Sequence, residues 1–269
     1  MIDSHCHLNL PALADNVESV LREALNAGIT RIMVPGIDEA SWRVIQQISD
    51  KYTSLLPIDT AIGFHPYFLT QHSLAGLHDS AGISDKIDQL EQAAHQRHSS
   101  VKAIGETGLD AHIQIPMALQ QEALKAHLMV AVNLGLPVIL HHRKSHHLLL
   151  EALKANPVER AGVIHAFSGN VDVAKRYLDN GFYLGLGGTI TYPRARKTRD
   201  TATFLLKHHP ERILLETDAP DMPMYGRQGQ ANKPQYLCEV VSALSALGDL
   251  DTQTIIDTTT ANYQKLFLN

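Results

Sequence analysis

The residues best suited to chemistry come first in this sequence. Asp3, His5 and His7 fall within Met1-Ile2-Asp3-Ser4-His5-Cys6-His7-Leu8, with the two imidazoles in His-x-His spacing. If the apolar Ile2 opens a β-strand, side chains repeat every second residue, and Asp3, His5 and His7 point to one side. Two neutral imidazoles side by side, with a carboxylate nearby, can hold a divalent metal ion. The pair alone is a weak signal. With 16 histidines in 269 residues, about one His-x-His is expected by chance, and a motif outside its structural context carries a real false-positive risk. Where the other histidines and carboxylates fall decides the matter.

Their places are set by an alternation of apolar runs and helical patterns. After the opening strand, Val17, Val20, Leu21, Ala24 and Leu25 recur on one helical face, and Gly28 supplies a stop. Apolar runs closed by turn residues predict strands over 32–36, 58–64, 101–105, 137–140, 162–164, 182–186 and 213–216. Helical spacing covers 41–48, 87–95, 117–134, 148–154, 171–178, a basic stretch to Lys207, 236–247 and 253–267, while 67–84 reads as a mixed connection. Counted from Ile2 there are eight strands, and such alternation implies parallel pairing with right-handed crossovers. Eight units in 269 residues predict an α/β fold, a (β/α)8 TIM barrel. A doubly wound open sheet is the runner-up, since a strand count does not establish closure. No repeat, low-complexity tract or linker marks a second domain, so residues 1–269 read as one barrel domain.

In that frame the chemistry gathers. His5 and His7, His65, Glu106, His141 or His142, His165 and Asp218 all lie at the C-terminal ends of predicted strands. In a barrel those ends form one mouth, where active sites sit. The ordinary alternative for each residue is a satisfied core histidine or a helix-capping carboxylate; it is the set that argues for a site. Glu106 and Asp218 end apolar strands, where an unpaired buried carboxylate is expensive and divalent cations would compensate it. Four imidazoles and two carboxylates exceed what one tetrahedral ion requires. The count suits two ions, with one carboxylate able to bridge them.

Composition bounds the rest. A chain that is 44% hydrophobic and 19% charged is ordinary globular material. The net charge of −5 argues against a surface that is wholly a nucleic-acid sleeve, but a nuclease needs only one local basic patch. Cys6 and Cys238 suggest no disulfide framework and fit a reducing compartment. The acidic Asp3 and the lack of a basic n-region argue against a typical signal peptide, and no run approaches a membrane span. A cytoplasmic protein without a membrane partner is expected, and no protein partner is implied.

Taken in order, the motifs resemble the TatD-type metal-dependent hydrolases of the amidohydrolase-like barrel superfamily, over nearly the whole chain. They are Ile2-Asp3-Ser4-His5-Cys6-His7-Leu8, Gly63-Phe64-His65-Pro66, Gly105-Glu106-Thr107-Gly108-Leu109-Asp110, Leu136-Pro137-Val138 with His141 and Arg143, Val163-Ile164-His165-Ala166-Phe167-Ser168-Gly169, and Leu215-Glu216-Thr217-Asp218-Ala219-Pro220. Gly187-Gly188-Thr189-Ile190-Thr191-Tyr192-Pro193-Arg194 and Asp218-Ala219-Pro220-Asp221-Met222-Pro223 look like the YjjV branch. The resemblance implies a deoxyribonuclease in which His5, His7 and Asp218 hold one ion, Glu106 bridges, and His141 and His165 hold the second. It also selects His141 over His142, through the matching His-x-Arg spacing. Where the family commonly has an aromatic residue after Asp110, this chain reads Ala111-His112-Ile113, which bears on local substrate contacts rather than on the metal ligands.

The reaction expected is metal-assisted hydrolysis of a phosphodiester in DNA, with Asp218 orienting or deprotonating the attacking water and two divalent ions as cofactors. Imidazole with carboxylate suits Zn, Mn, Ni or Fe, and Mg can occupy carboxylate-rich sites. Asp3 can instead support an imidazole by its other nitrogen. Arg194, Arg196, Lys197 and Arg199 follow the seventh strand, where barrels often bind phosphate; a solvated helix face is the plain alternative for Arg196 and Arg199. Tyr192 could stack on a base or pack on the rim. Arg143 could reach a phosphate or pair with a carboxylate, and His65 could line the pocket or cap the loop begun by Pro66. Two other classes compete. One is an amidohydrolase or lactonase whose metals polarise a carbonyl, and the other a metal-stabilised scaffold without enzymatic activity. A structural site is normally closed by four ligands, so an open mouth favours catalysis.

Overall fold

The computed structural model describes residues 1–69, 80–96 and 98–269, so the mixed connection expected over 67–84 lies partly outside the described residues. Among the described residues, strands β1 (Ile2–Asp3), β2 (Arg31–Pro35), β3 (Ile58–Ile62), β4 (Val101–Asp110), β5 (Val138–Arg143), β6 (Gly162–Ile164), β7 (Tyr183–Leu186) and β8 (Ile213–Leu215) pair in sequence order, all in parallel. The ends meet as well. Ser4 N donates to Leu215 O at 2.8 Å, Asp218 N to His5 O at 2.9 Å and His7 N to Ala219 O at 2.7 Å. These bonds carry β8 back to β1, so the sheet is a barrel rather than the open alternative.

Helices α1 (Pro11–Ala14), α2 (Val17–Asn26), α3 (Glu39–Tyr52), α4 (Ser80–His95), α5 (Met117–Leu134), α6 (His146–Ala155), α7 (Val171–Asp179), α8 (Arg196–His208), α9 (Leu237–Gly248) and α10 (Thr252–Phe267) run between the strands and after the last. Their apolar stripes face the strands: α2 buries Val17, Val20, Leu21 and Ala24, whereas Leu25, expected on that face, is exposed. At the start of α3 the Asp38 carboxylate accepts from Ser41 N and the Ser41 hydroxyl accepts from Asp38 N, a reciprocal cap. Inside the barrel, Ile2, Met33, Ala61, Ala103, Ile139, Val163, Tyr183 and Leu214 form a core with Tyr263, Leu266 and Phe267 of α10. The last helix thus stops the N-terminal end of the barrel, where Tyr263 Oη donates to Asp59 Oδ2 at 2.7 Å and Arg31 Nη1 to Asp59 Oδ1 at 2.8 Å. The opposite end is left free for a site.

One strand differs from expectation in a way that matters for that site. β4 continues to Asp110 instead of stopping at residue 105, because Gly105 and Gly108 are not turn residues. They have φ +143° and +148°, values that favour glycine. A Cβ on Gly108 would sit 2.1 Å from His141 O, and one on Gly105 2.6 Å from Ile139 O. Glycine therefore lets β4 press on β5, across a register shift between Ile104 and Thr107. Glu106 lies within that shift.

A buried imidazole on α5 makes the fold sensitive to acid. His127 Nε2 accepts from Phe64 N at 2.9 Å, and its Nδ1 lies 2.7 Å from Ala123 O, a pair of bonds that requires the neutral ring. Burial pushes its pKa from 6.5 down to about 4. The unfolded chain therefore binds the extra proton first as pH falls. The contribution is complete above pH 6.5 and drains as pH approaches 4, for a total of about 3 kcal/mol. Unfolding free energies from urea titrations at pH 7 and pH 4 are expected to differ more for the wild type than for His127→Gln by about that amount. Equal pH slopes would contradict it.

Candidate metal centre

At the C-terminal ends of the strands lies a cavity of about 770 Å³ whose lining includes His7, His65, Glu106, His141, His165 and Asp218. Its floor is built around one carboxylate. Glu106 Oε2 lies 3.1 Å from His5 Nε2 and 3.4 Å from His7 Nε2. Those nitrogens are 3.1 Å apart and stand 3.6 and 3.7 Å from Asp218 Oδ1. On the other side, Glu106 Oε1 lies 2.9 Å from His165 Nε2, 3.2 Å from His141 Nδ1 and 3.3 Å from His65 Nε2. The His141 and His165 nitrogens are 3.2 Å apart. Glu106 therefore joins two groups of donors, one at each oxygen.

The donor chemistry fits divalent ions. An ion about 2.0–2.2 Å from four tetrahedral donors spaces them about 3.3–3.6 Å apart. The distances of 3.1–3.7 Å in the first group bracket that spacing, and those of 2.9–3.3 Å in the second run slightly tighter. Imidazole lone pairs that face one another and a carboxylate repel unless a proton or cation lies between them. Ligation needs neutral histidine and ionised carboxylate, and without an ion the imidazoles divide. Burial pushes the His5 ring well below its ordinary pKa, whereas the Glu106 carboxylate, outweighing burial, raises His165 well above it and His7 and His141 less; a cation between them would take the place of those protons. Burial alone would raise Glu106, yet the imidazoles of His165, His65 and His5 hold it well below the carboxylate range. Burial pushes Asp218 up to about 6, opposed by His165 and His7, and a cation beside it would reverse that shift.

Neighbouring residues fix the donors in place. Asp110 Oδ2 lies 3.3 Å from His141 Nε2 and turns the ring so that Nδ1 faces Glu106. Asp3 does not hold an imidazole as anticipated. Its carboxylate accepts from Thr217 Oγ1 at 2.6 Å, Thr217 N at 3.0 Å and His5 N at 3.3 Å, while His5 Nδ1 has no hydrogen-bond partner among the described residues. The reason is geometric: β1 ends at Asp3, so the period of two does not carry on to His5 and His7. Asp3 instead ties the segment bearing His5 to the one bearing Asp218. Asp218 itself has φ +58°, a left-handed conformation that costs a non-glycine residue on the order of 1–3 kcal/mol. It is kept by the Asp218 N to His5 O bond and by the buried Asn232, whose Nδ2 donates to Thr217 O at 2.8 Å.

Asp110→Asn keeps an acceptor for His112 N, which bonds Asp110 Oδ1 at 2.7 Å, but faces His141 with an amide. Divalent-metal affinity, measured by chelator competition, is expected to fall about 10–100-fold. Unchanged affinity would remove Asp110 from this role.

The expected residues divide as follows. His141 faces the Glu106 cluster, whereas His142 is buried with its ring stacked on His146 at 4.1 Å. His65 fills both of its anticipated places: Nε2 approaches Glu106, and Nδ1 accepts from Tyr67 N at 3.1 Å. Arg143 is exposed on the rim of the same cavity, and among the described residues its guanidinium makes no hydrogen bond or ion pair. Tyr192 and Arg194 line an adjoining cavity instead. Arg199 Nη1 donates to Ile190 O at 2.7 Å, which makes it a support for the loop after β7, while Arg196 and Lys197 are exposed. Sequence reasoning missed the support that Asp110 gives His141. Continuing β4 past Gly105 would have revealed it, because Glu106 and Asp110 are an even number of residues apart and share a strand face.

A parallel eight-stranded barrel with histidines and carboxylates converging at the C-terminal mouth defines a metal-dependent hydrolase. The family model described as TatD related DNase matches residues 2–268, so the chain belongs to the TatD family. It is 39% identical over 247 residues to an uncharacterized metal-dependent hydrolase, YjjV, of Escherichia coli (strain K12), covering 91% of this chain and 89% of that one. It is 33% identical over 274 residues to an uncharacterized metal-dependent hydrolase of Haemophilus influenzae, covering 98% of each. The crystal structure of the Escherichia coli YjjV protein, a TatD homolog, superposes with a TM-score of 0.91 at 37% identity, over 100% of this chain and 98% of that one.

Proposed function

We propose that the chain hydrolyses phosphodiester bonds in DNA, with His5, His7, Glu106 and Asp218 holding one divalent ion and Glu106, His141 and His165 the second. The observation that carries the two-ion reading is the division of Glu106, with separate imidazole groups at Oε2 and Oε1. What favours an anionic substrate over a neutral amide or lactone is the Arg143 guanidinium, exposed on the rim of the same cavity. A charge-assisted contact with a phosphoryl oxygen would use its planar donor fork.

Bound ions of this kind lower the pKa of water and offset charge growing on phosphoryl oxygens. The residues supply the remainder. Asp218 takes the proton of the attacking water on its carboxylate and passes it to the departing alkoxide, as the new P–O bond forms and the old one breaks. Arg143 and His65 hold the scissile group toward Asp218, and Ile113, with Leu10, Ile37 and Phe68, gives the cavity an apolar wall. Tyr192 and Arg194 contact the strand beyond it. A cytoplasmic location goes with this reading, supported by two cysteines that remain thiols and by the fact that no described helix is long and apolar enough to cross a membrane.

The test incubates purified protein with single-stranded DNA and, in parallel, with a panel of lactones and dihydroorotate, with and without added Mg, Mn, Zn or Ni. Metal-dependent shortening of the DNA, abolished by chelator, is the expected outcome. Turnover of the panel with intact DNA would favour the amidohydrolase class.

A further inference from the structure

Behind His165 lies a carboxylate that neither donor group uses. Glu216, just past the end of β8, is 1% exposed, and a carboxylate buried so deeply is costly unless it is partnered. Its Oε1 accepts from Ala166 N and stands 3.8 Å from His165 Nδ1. Among the described residues, neither Glu216 Oε2 nor His165 Nδ1 has a hydrogen-bond partner. The neighbouring strand is shaped to admit this side chain, since a Cβ on Gly185 of β7 would collide with Oε2. Phe167 N donates to Gly185 O at 3.0 Å. Together with the Ala166 N bond, this holds Ala166 at φ +45°, a left-handed turn directly after His165.

One nitrogen each of His5 and His165 and one oxygen of Glu216 come within 4.8 Å of one another, which raises a third ion as an alternative. The ring geometry argues against it. The two imidazoles are stacked with centroids 4.0 Å apart and planes at 14°. An imidazole lone pair lies in the plane of its ring, so nearly parallel rings do not aim at one ion. Hydrogen bonding fits instead. His165 turns Nε2 toward Glu106, and a neutral ring that gives Nε2 to a metal carries its proton on Nδ1. That proton is a donor, and the nearest charged acceptor is Glu216 Oε1.

The geometry points to Glu216 as the positioning residue of His165. In the loaded centre Nδ1–H donates to Oε1, after the pair closes by about 0.8 Å. The bond fixes the tautomer that leaves Nε2 for the second ion and makes that nitrogen a stronger ligand. Each imidazole of the second ion then has a carboxylate behind it, Asp110 for His141 and Glu216 for His165. His5 Nδ1 and His7 Nδ1 have no hydrogen-bond partner among the described residues, so the effect belongs to one ion of the two. The inference rests on the paired-ion reading and is independent of the substrate.

The test measures zinc binding by competition with a fluorescent chelator, resolved into two steps, for wild type, Glu216→Gln and Asp110→Asn. The glutamine keeps an oxygen for Ala166 N and removes the charge. In Glu216→Gln one step is expected to weaken about 10–100-fold, the same step that weakens in Asp110→Asn, with the other within about threefold of wild type. A second measurement needs no variant. Heteronuclear NMR of the histidine rings in zinc-loaded wild type should show His165 bound through Nε2, with an Nδ1–H that exchanges slowly with water. In Glu216→Gln that proton should move upfield as its acceptor loses charge, a change that a purely structural role would not produce. Unchanged affinity at both steps, an equal loss at both, or His165 bound through Nδ1 would overturn the role of Glu216 alone, while two ions still bind. One ion or none bound by wild type would overturn the paired-ion reading, and this role with it.

Discussion

Glu106→Gln is expected to leave a folded protein with little hydrolytic activity and less than its full complement of metal. The carboxylate is buried and lies within 3.4 Å of His5, His7, His65, His141 and His165 nitrogens, so one substitution removes the negative charge from both donor groups. Removing one partner from a buried charged pair costs about 3–5 kcal/mol. That cost falls on folding stability, while the loss of one preorganised charged group from the site is expected to lower kcat/KM about 10²–10³-fold. Metal content by plasma mass spectrometry should fall along with activity. Wild-type turnover and metal content in this variant would remove Glu106 as the bridge.

Asp218→Asn is the second large effect, and it differs in kind. The amide keeps an oxygen near His5 and His7, so metal content should fall less than in Glu106→Gln. It cannot take a proton, and losing a positioned general base costs about 10²–10⁴-fold in kcat. The pH profile distinguishes this from a binding defect. Burial, opposed by His165 and His7, places the Asp218 pKa at about 6 in the absence of an ion, and a neighbouring cation moves it lower by favouring the carboxylate. A base works only when deprotonated, so wild-type kcat falls as pH drops through that value, whereas the variant should show no such acid limb. A variant that keeps the acid limb with lowered activity would assign the proton to another group.

The positions of these side chains were legible in the sequence because two strong patterns agree. Continuous apolar runs leading to His65, His141, His165 and Asp218 alternate with helical stripes such as Val17, Val20, Leu21 and Ala24, and that alternation admits few folds. The 117–134 helix was read to the residue, since nothing interrupts its pattern. Strand β4 was read short, because Gly105 and Gly108 look like punctuation until the close approach to Ile139 and His141 is seen. That same error hid Asp110. The role of Asp3 was not legible either, because it depends on Thr217, 214 positions away, and no local spacing encodes a bond across the closure of the barrel. Closure itself rests on backbone hydrogen bonds around Ser4, His7 and Asp218, which a count of strands does not contain. His141 was chosen over His142 by resemblance. The structure supplies the physical reason in the ring stacking of His142 on His146, away from Glu106.

The most direct test of the paired-ion centre is anomalous scattering from crystals of metal-loaded protein, with data collected at the absorption edge of the bound element. Two peaks are predicted on opposite sides of the Glu106 carboxylate, one bounded by His5, His7 and Asp218 and the other by His141 and His165. A single peak that leaves either oxygen of Glu106 unused, or metal bound elsewhere on the molecule, would contradict it.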